Sequence, residues 1–287
     1  MTIRQRREMS IASVNGVNLY YEVHGAGETV FLTHGSWGDA TGWQAVVPGL
    51  AERFEVVIWD RRGHSRSSDG DWAGTIDADA ADLAALIGHL DREGAHVYGS
   101  SSGGTVVLKL AAVHPDLVAS AAVHEPAVPG LLDGIGDDHI ARALSDLSLH
   151  LDKVGALLES GDDETAAEYF IDNVAVGRGA WEQFPRDVRQ TLTANAKTYA
   201  GELSDPTAFV VDTDTLATTE LPIMVTLGTE SPPLLQATTR ELIRRIPSVR
   251  VETLEGSGHV PYRTHPDLWL ETLLDYYETI PARSAGR

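Results

Sequence analysis

The chain contains no cysteine, which excludes disulfides, thiolate metal centres and a cysteine nucleophile. Basic residues are scarce: 22 Lys and Arg stand against 42 Asp and Glu, a net charge of −20. A surface of that sign repels phosphate backbones and anionic lipid, so neither nucleic acid nor a membrane is an expected partner. The sequence holds no run of about 18 apolar residues, the length a membrane-spanning helix needs. Its basic opening, Met1-Thr2-Ile3-Arg4-Gln5-Arg6-Arg7-Glu8, lacks the apolar stretch of a signal peptide and reads as a frayed leader, so the expected location is cytoplasmic. Internal repeats and low-complexity segments are also missing. What remains is 287 residues of 43% apolar composition with 13 prolines, enough chain to bury a substantial core.

Within that chain, buried-strand patterns alternate with amphipathic helical ones. Ile11–Val14 and Val17–Tyr21 flank Asn15-Gly16, the pair that favours a type I′ hairpin turn. Thr29–Thr33, Phe54–Trp59, Ala95–Tyr98, Val118–Val123, Pro222–Leu227 and Val249–Leu254 are near-continuous apolar runs, as expected of strands covered on both faces of a parallel sheet. Helical patterns over Asp77–Leu90, Thr105–Val113, Leu235–Arg245 and Asp267–Tyr277 separate them. This alternation predicts an α/β fold with a mostly parallel central sheet and right-handed crossovers. From Ala127 to Leu221 no buried strand appears, only helical stretches such as Asp138–Leu158 and Asp163–Val174. The expected organisation is a core in two parts, residues 1–126 and 221–287, with a helical cap over 127–220 that carries Trp181, Phe184 and Tyr199.

Gly99-Ser100-Ser101-Ser102-Gly103 sits where a strand runs into a helix. G-x-S-x-G in that context is a nucleophile elbow, a turn so tight that its central serine is strained and exposed. The flanking glycines are required because a Cβ there would strike the neighbouring strand and helix. Ser101 is therefore the candidate nucleophile and the Ser102 N–H a candidate oxyanion donor. A serine hydroxyl needs a base, and the base needs an orienting carboxylate. Among the 11 histidines, His259 is best placed. It lies in Glu255-Gly256-Ser257-Gly258-His259-Val260-Pro261, a glycine-rich loop after the last strand, where open α/β sheets gather their sites.

With the elbow, Thr33-His34-Gly35-Ser36-Trp37-Gly38, Asp60-Arg61-Arg62-Gly63-His64-Ser65 and Gly256-Ser257-Gly258-His259 in this order, the sequence resembles the α/β-hydrolase fold family from about Ile11 to Tyr277. The resemblance implies that the His-Gly turn supplies a second oxyanion N–H, from Gly35 or Ser36. It also leaves His34 and Asp60 as turn-stabilising groups rather than chemical ones. Most of that family carry an aspartate in a Gly-x-x-Asp turn after the strand corresponding to Pro222–Leu227. Here the turn reads Gly228-Thr229-Glu230-Ser231, so the acid must come from elsewhere. Glu230 is one alternative. The other is Glu125 in His124-Glu125-Pro126, at a strand end where a minority of the family, haloalkane dehalogenases among them, place their acid. A carboxylate ending an apolar strand needs a partner, and His259 would be that partner, so Glu125 is the expected acid.

The Ser101, Glu125, His259 order, the cap pair Ala180-Trp181 and Gly258-His259-Val260-Pro261-Tyr262 are together similar to zearalenone lactone hydrolases. In that group the cap tryptophan packs on the macrolactone, which makes Trp181 an expected substrate contact; the alternative is an aromatic of the cap's own core. The resulting expectation is a cofactor-free, metal-free serine hydrolase acting on a small-molecule ester or lactone of an apolar, aromatic-tolerant kind. A serine at the elbow excludes the carboxylate-nucleophile reactions. Two alternatives stay open: a carbon–carbon bond hydrolase of dienone acids, which needs a cationic clamp such as Arg62 or Arg178, and a hydrolase-like binding or receptor protein. Whether the chain forms a homo-oligomer is also left open.

Overall fold

The computed structural model describes residues 7–70 and 74–281. Eight strands form one sheet: β1 (Arg7–Val14), β2 (Val17–Gly25), β3 (Thr29–Thr33), β4 (Glu55–Trp59), β5 (Ala95–Ser100), β6 (Val118–His124), β7 (Ile223–Gly228) and β8 (Arg250–Leu254), in the order β1-β2-β4-β3-β5-β6-β7-β8. β1 and β2 are antiparallel to their neighbours and all later pairings are parallel. This is the α/β-hydrolase architecture expected from the alternation of patterns.

The Asn15-Gly16 turn has φ of 47° and 76°, the left-handed pair a type I′ hairpin requires. β1 reaches further back than the apolar pattern suggests, with Arg7 paired to His24 and Glu8 to Val23. The last two residues of the expected leader therefore belong to a strand, while residues 1–6 lie outside the described ones. Pairing decided this extension, because β2 itself runs on to Gly25 against β4.

Twelve helices complete the described chain: α1 (Val47–Leu50), α2 (Ile76–His89), α3 (Ser102–Val113), α4 (Asp138–Glu159), α5 (Asp163–Phe170), α6 (Ala180–Gln183), α7 (Arg186–Ala194), α8 (Ala196–Ser204), α9 (Thr213–Thr218), α10 (Pro233–Arg245), α11 (Pro261–Thr264) and α12 (Pro266–Glu278). Their starts follow local chemistry. The Thr75 side chain accepts the Ala78 N–H to begin α2, and Asp137 and Asp162 cap α4 and α5 in the same way. α3 begins at Ser102, three residues before its apolar pattern, since the elbow turns directly into the helix. Beyond α5 the backbone widens into a π-turn over Ile171–Ala175.

Apolar side chains pack on both faces of the sheet. Phe31, Val57, Val97, Val123 and Val225 join α2, α3 and α10 on one side, and Leu32, Ile58, Tyr98, Ala122 and Met224 join α1 and α12 on the other. Between β6 and β7 the chain is helical and has its own apolar cluster, including Val154, Phe170, Trp181, Leu192 and Tyr199. One residue of the β3 loop, Trp37, is built into that cluster, stacked 5.2 Å from Phe170 and 5.1 Å from Tyr199. Among the described residues no helix is long and apolar enough to cross a membrane.

Candidate active site

Ser101 stands between β5 and α3 with φ 56° and ψ −128°, a backbone region that costs an ordinary residue about 1–3 kcal/mol and persists only where its surroundings over-determine it. The glycines show why. A Cβ on Gly99 would lie 2.1 Å from the Gly103 carbonyl oxygen, and one on Gly103 would lie 2.4 Å from the carbonyl oxygens of Thr33 and His34. The elbow is thus wedged against the end of β3 and can exist only with hydrogen at both positions. The Ser101 N–H is tied to the His124 carbonyl at 3.0 Å, fixing the turn to the end of β6.

That same strand end delivers the candidate acid. Glu125, fully buried with φ 40°, follows β6 directly, and its Oε2 lies 2.8 Å from His259 Nδ1. Its Oε1 accepts the Gly228 N–H at 2.8 Å. Since β6 and β7 pair up to His124 and Thr226, a carboxylate leaving β6 reaches the turn after β7 where the common family pattern keeps its aspartate. Burial pushes the Glu125 carboxyl up, but the His259 hydrogen bond and the neighbouring imidazoles outweigh it and hold the value down at about 2. Glu230 is not brought to His259: its side chain is exposed, and only its backbone is engaged, donating to Ser257 O at 2.9 Å. Ser231, in the place of the usual aspartate, is buried, and its hydroxyl is among the groups that hold the Glu125 carboxyl down.

The loop after β3, which carries the expected oxyanion donors, is fixed by His34. Its Nδ1–H donates to the Gly35 carbonyl at 2.8 Å, and its Nε2 accepts the Arg61 N–H at 3.0 Å. Burial first, then the Arg61 charge, holds this imidazole neutral, lowered to about 3, as that bonding requires. Asp60 accepts from the Ala40 and Arg66 backbone N–H groups and from the Arg66 guanidinium, the turn-stabilising duty expected of it. Gly35 sits so close to the elbow that a Cβ there would lie 3.1 Å from Ser101 Cβ. Ser36 and Ser102 share a 2.9 Å hydrogen bond between hydroxyls, which brings the two expected oxyanion-donor segments together.

Ser101 and His259 both line two cavities, which also share Ser36, Phe170 and Ala175. One runs toward Asp39, Trp43, Tyr262 and Arg263. The other is walled by Leu147, Leu151, Phe209, Leu234 and Leu235. Trp181 lines neither; its side chain is buried in the apolar cluster of the helices between β6 and β7, and its backbone N–H donates to Asp172. The two cationic-clamp candidates are elsewhere as well: Arg62 grips Asp82 through two 2.7 Å bonds, and Arg178 is exposed. Among the described residues one group has metal-ligand donor types together, His124, Glu125 and His259, all within 4.8 Å. Within that group Glu125 Oε2 and His259 Nδ1 are hydrogen-bonded to each other at 2.8 Å.

Sequence reasoning did not single out Arg61 or Glu202. Both are buried beside Ser36 and Ser102, and Arg61 donates to Asp79 at 2.5 Å and to Glu202 at 2.8 Å. The buried Asp79 carboxyl is pushed up to about 6 by desolvation despite that cation. Their only sequence signal is that Asn195, Thr198 and Glu202 recur at one face of a helix.

A sheet of this order, an elbow at the end of β5 and a buried acid–histidine pair at its carboxyl edge define an α/β-class hydrolase. Residues 30–272 match the alpha/beta hydrolase family, and the chain belongs to it. It is 26% identical over 283 residues to a zearalenone hydrolase of Bionectria ochroleuca, spanning 94% of this chain and 97% of that one. A shorter match, 37% over 123 residues, is to the uncharacterized hydrolase YraK of Bacillus subtilis, and covers 42% of this chain and 45% of that relative's length. In structure the chain is similar to a thermophilic esterase from Thermogutta terrifontis, with a TM-score of 0.75 at 23% identity over 96% of this chain and 99% of that one.

Proposed function

We propose that this hydrolase cleaves a carboxylic ester or lactone of an apolar small molecule through an acyl-enzyme on Ser101. The observation that carries the reading is the pairing of a strained elbow serine with a histidine that faces the same cavities while its far nitrogen is held by a buried carboxylate. In this mechanism His259 Nε2 takes the Ser101 proton as Oγ attacks the carbonyl carbon. The Ser102 N–H and the Gly35 and Ser36 backbone hold the oxyanion, and Glu125 stabilises the imidazolium. His259 then protonates the leaving alcohol, and water activated by the same imidazole releases the acid.

Two cavities that share Ser101 in their lining suit a substrate with sizeable groups on either side of its carbonyl, the leucine-walled one taking the more apolar arm. A macrocyclic or aryl lactone fills both, which accords with the full-length similarity to a zearalenone hydrolase. Helices 127–220 act as the cap that closes these cavities. Labelling with a serine-directed phosphonate, followed by peptide mapping, tests the reading. Adduct at Ser101 and turnover of aryl esters or macrolactones that Ser101→Ala abolishes are expected; no adduct and no turnover across the panel would overturn it.

A further inference from the structure

We propose that Glu202, on cap helix α8, is a positioning residue that aims the oxyanion hole; the inference rests on the hydrolytic reading above. Its carboxylate is buried, and Oε2 accepts from the Ser36 hydroxyl at 2.5 Å while Oε1 accepts from Arg61 at 2.8 Å. Arg61 in turn donates to the Ser102 hydroxyl at 3.0 Å, and the Ser102 and Ser36 hydroxyls are 2.9 Å apart. Proton counting sets the direction of this ring. A guanidinium only donates and a carboxylate only accepts, so the sense is Arg61 to Ser102 to Ser36 to Glu202, with Arg61 closing directly onto Glu202. Every hydroxyl then gives one proton and takes one, an arrangement in which each bond strengthens the next.

The ring closes on Ser36 and Ser102, two of the residues, with Gly35, whose backbone faces the developing oxyanion in the proposed mechanism. Cap docking does not need it: Trp37 against Phe170 and Tyr199 already buries an apolar contact there, and Asn195 grips the Trp37 and Gly38 carbonyls at 3.0 and 2.8 Å. Buried ion pairs also add little stability over an apolar replacement. A lone carboxylate beside an oxyanion hole would oppose catalysis, and the Arg61 cation across the ring, shared between Glu202 and Asp79, offsets that charge. Angular control of the two donors is what such a ring supplies, and small misplacements of a donor are costly in rate.

The test compares Glu202→Gln, Ser36→Ala and the double variant with the unaltered chain, on an aryl ester and with a trifluoromethyl ketone whose hemiketal oxyanion, formed when Ser101 adds to the carbonyl, occupies the hole. Glu202→Gln is expected to lower kcat about 10- to 100-fold with KM nearly unchanged, and to weaken the ketone by a similar factor. Ser36→Ala should do the same, and the double variant should lose no more than the worse single one. Should Glu202→Gln fail to fold, Ser36→Ala, a single hydroxyl removed from a half-buried residue, carries the test alone with the same expectation. Full kcat and full ketone affinity in the folded variants, a loss confined to KM, or additive losses in the double variant would overturn the positioning role. An unaltered chain that neither turns over nor reacts with the phosphonate overturns the hydrolytic reading instead.

Discussion

Glu125 Oε2 lies 2.8 Å from His259 Nδ1, a contact between the end of β6 and the loop that follows β8, with β7 between them. The reach is possible because Glu125 Oε1 is anchored on the Gly228 N–H at the end of that intervening strand. A carboxylate held at both oxygens cannot turn away from the imidazole, so it orients His259 as firmly as an aspartate after β7 would.

Glu125→Gln should therefore lower kcat at least about 100-fold with KM little changed, because the amide favours the wrong tautomer and cannot stabilise the imidazolium. Glu230→Gln should stay within about twofold of the parent, because the exposed side chain makes no hydrogen bond to the pair. Steady-state kinetics of the two variants on one aryl ester check the assignment; the reverse pattern would move the acid to Glu230.

Gly103→Ala puts a Cβ 2.4 Å from two backbone oxygens of the β3 end. Neither carbonyl can step aside without moving the strand. A loss on the order of 3 kcal/mol or more is expected, or no folded protein at all, measured by urea unfolding beside Gly88→Ala, whose Cβ would meet nothing within 4 Å.

Acid should destabilise the protein from an unusually high pH. Burial holds His34 at about 3 and His124 at about 4, and lowers His64 and His96 as well. Groups whose folded values lie below the ordinary imidazole value keep their full stability contribution above about pH 6.5 and lose it as pH falls toward the folded values. Asp79, raised to about 6, works in the opposite sense between about pH 4 and 6 and offsets roughly one of these protons. A net slope on the order of 3 kcal/mol per pH unit near pH 5 is expected. Unfolding titrations from pH 7 to 4.5 measure it, and His34→Gln should flatten the slope by about one proton.

Trp181 and Leu235 separate the apolar core of the helices between β6 and β7 from the cavity wall. Trp181→Ala should cost about 3–5 kcal/mol of stability, the cost of emptying a buried aromatic site, while the folded remainder keeps its KM. Leu235→Trp, on the cavity wall, should leave stability nearly intact and raise KM severalfold for bulky substrates. A KM change from Trp181→Ala equal to that from Leu235→Trp would reassign Trp181 to the substrate.

Much of the core and part of the candidate site were legible along the chain. The Asn15-Gly16 turn, the apolar strands and the elbow glycines answer to sterics within a few residues, so composition and spacing suffice to read them. The acid was legible as a preference for Glu125 with Glu230 as the alternative, since two neighbouring strand ends could each supply it. Trp181 could not be placed, because an apolar helix face packs equally well inward on its own helices or outward on a cavity. Arg61 and Glu202 carried almost no signal: they stand far apart in sequence and acquire meaning only when α8 docks on the loops after β3 and β4.

The sequence by itself determined the family of folds, the elbow and the need for a relocated acid, because each follows from local bonding, local sterics and the alternation of apolar residues. Tertiary structure alone decided that Glu125 meets His259, that Trp181 turns inward, and that a cap carboxylate closes a ring with Arg61 on Ser36 and Ser102. Those outcomes depend on strand order and helix docking, where burial makes a charge seek whichever partner the fold brings within reach.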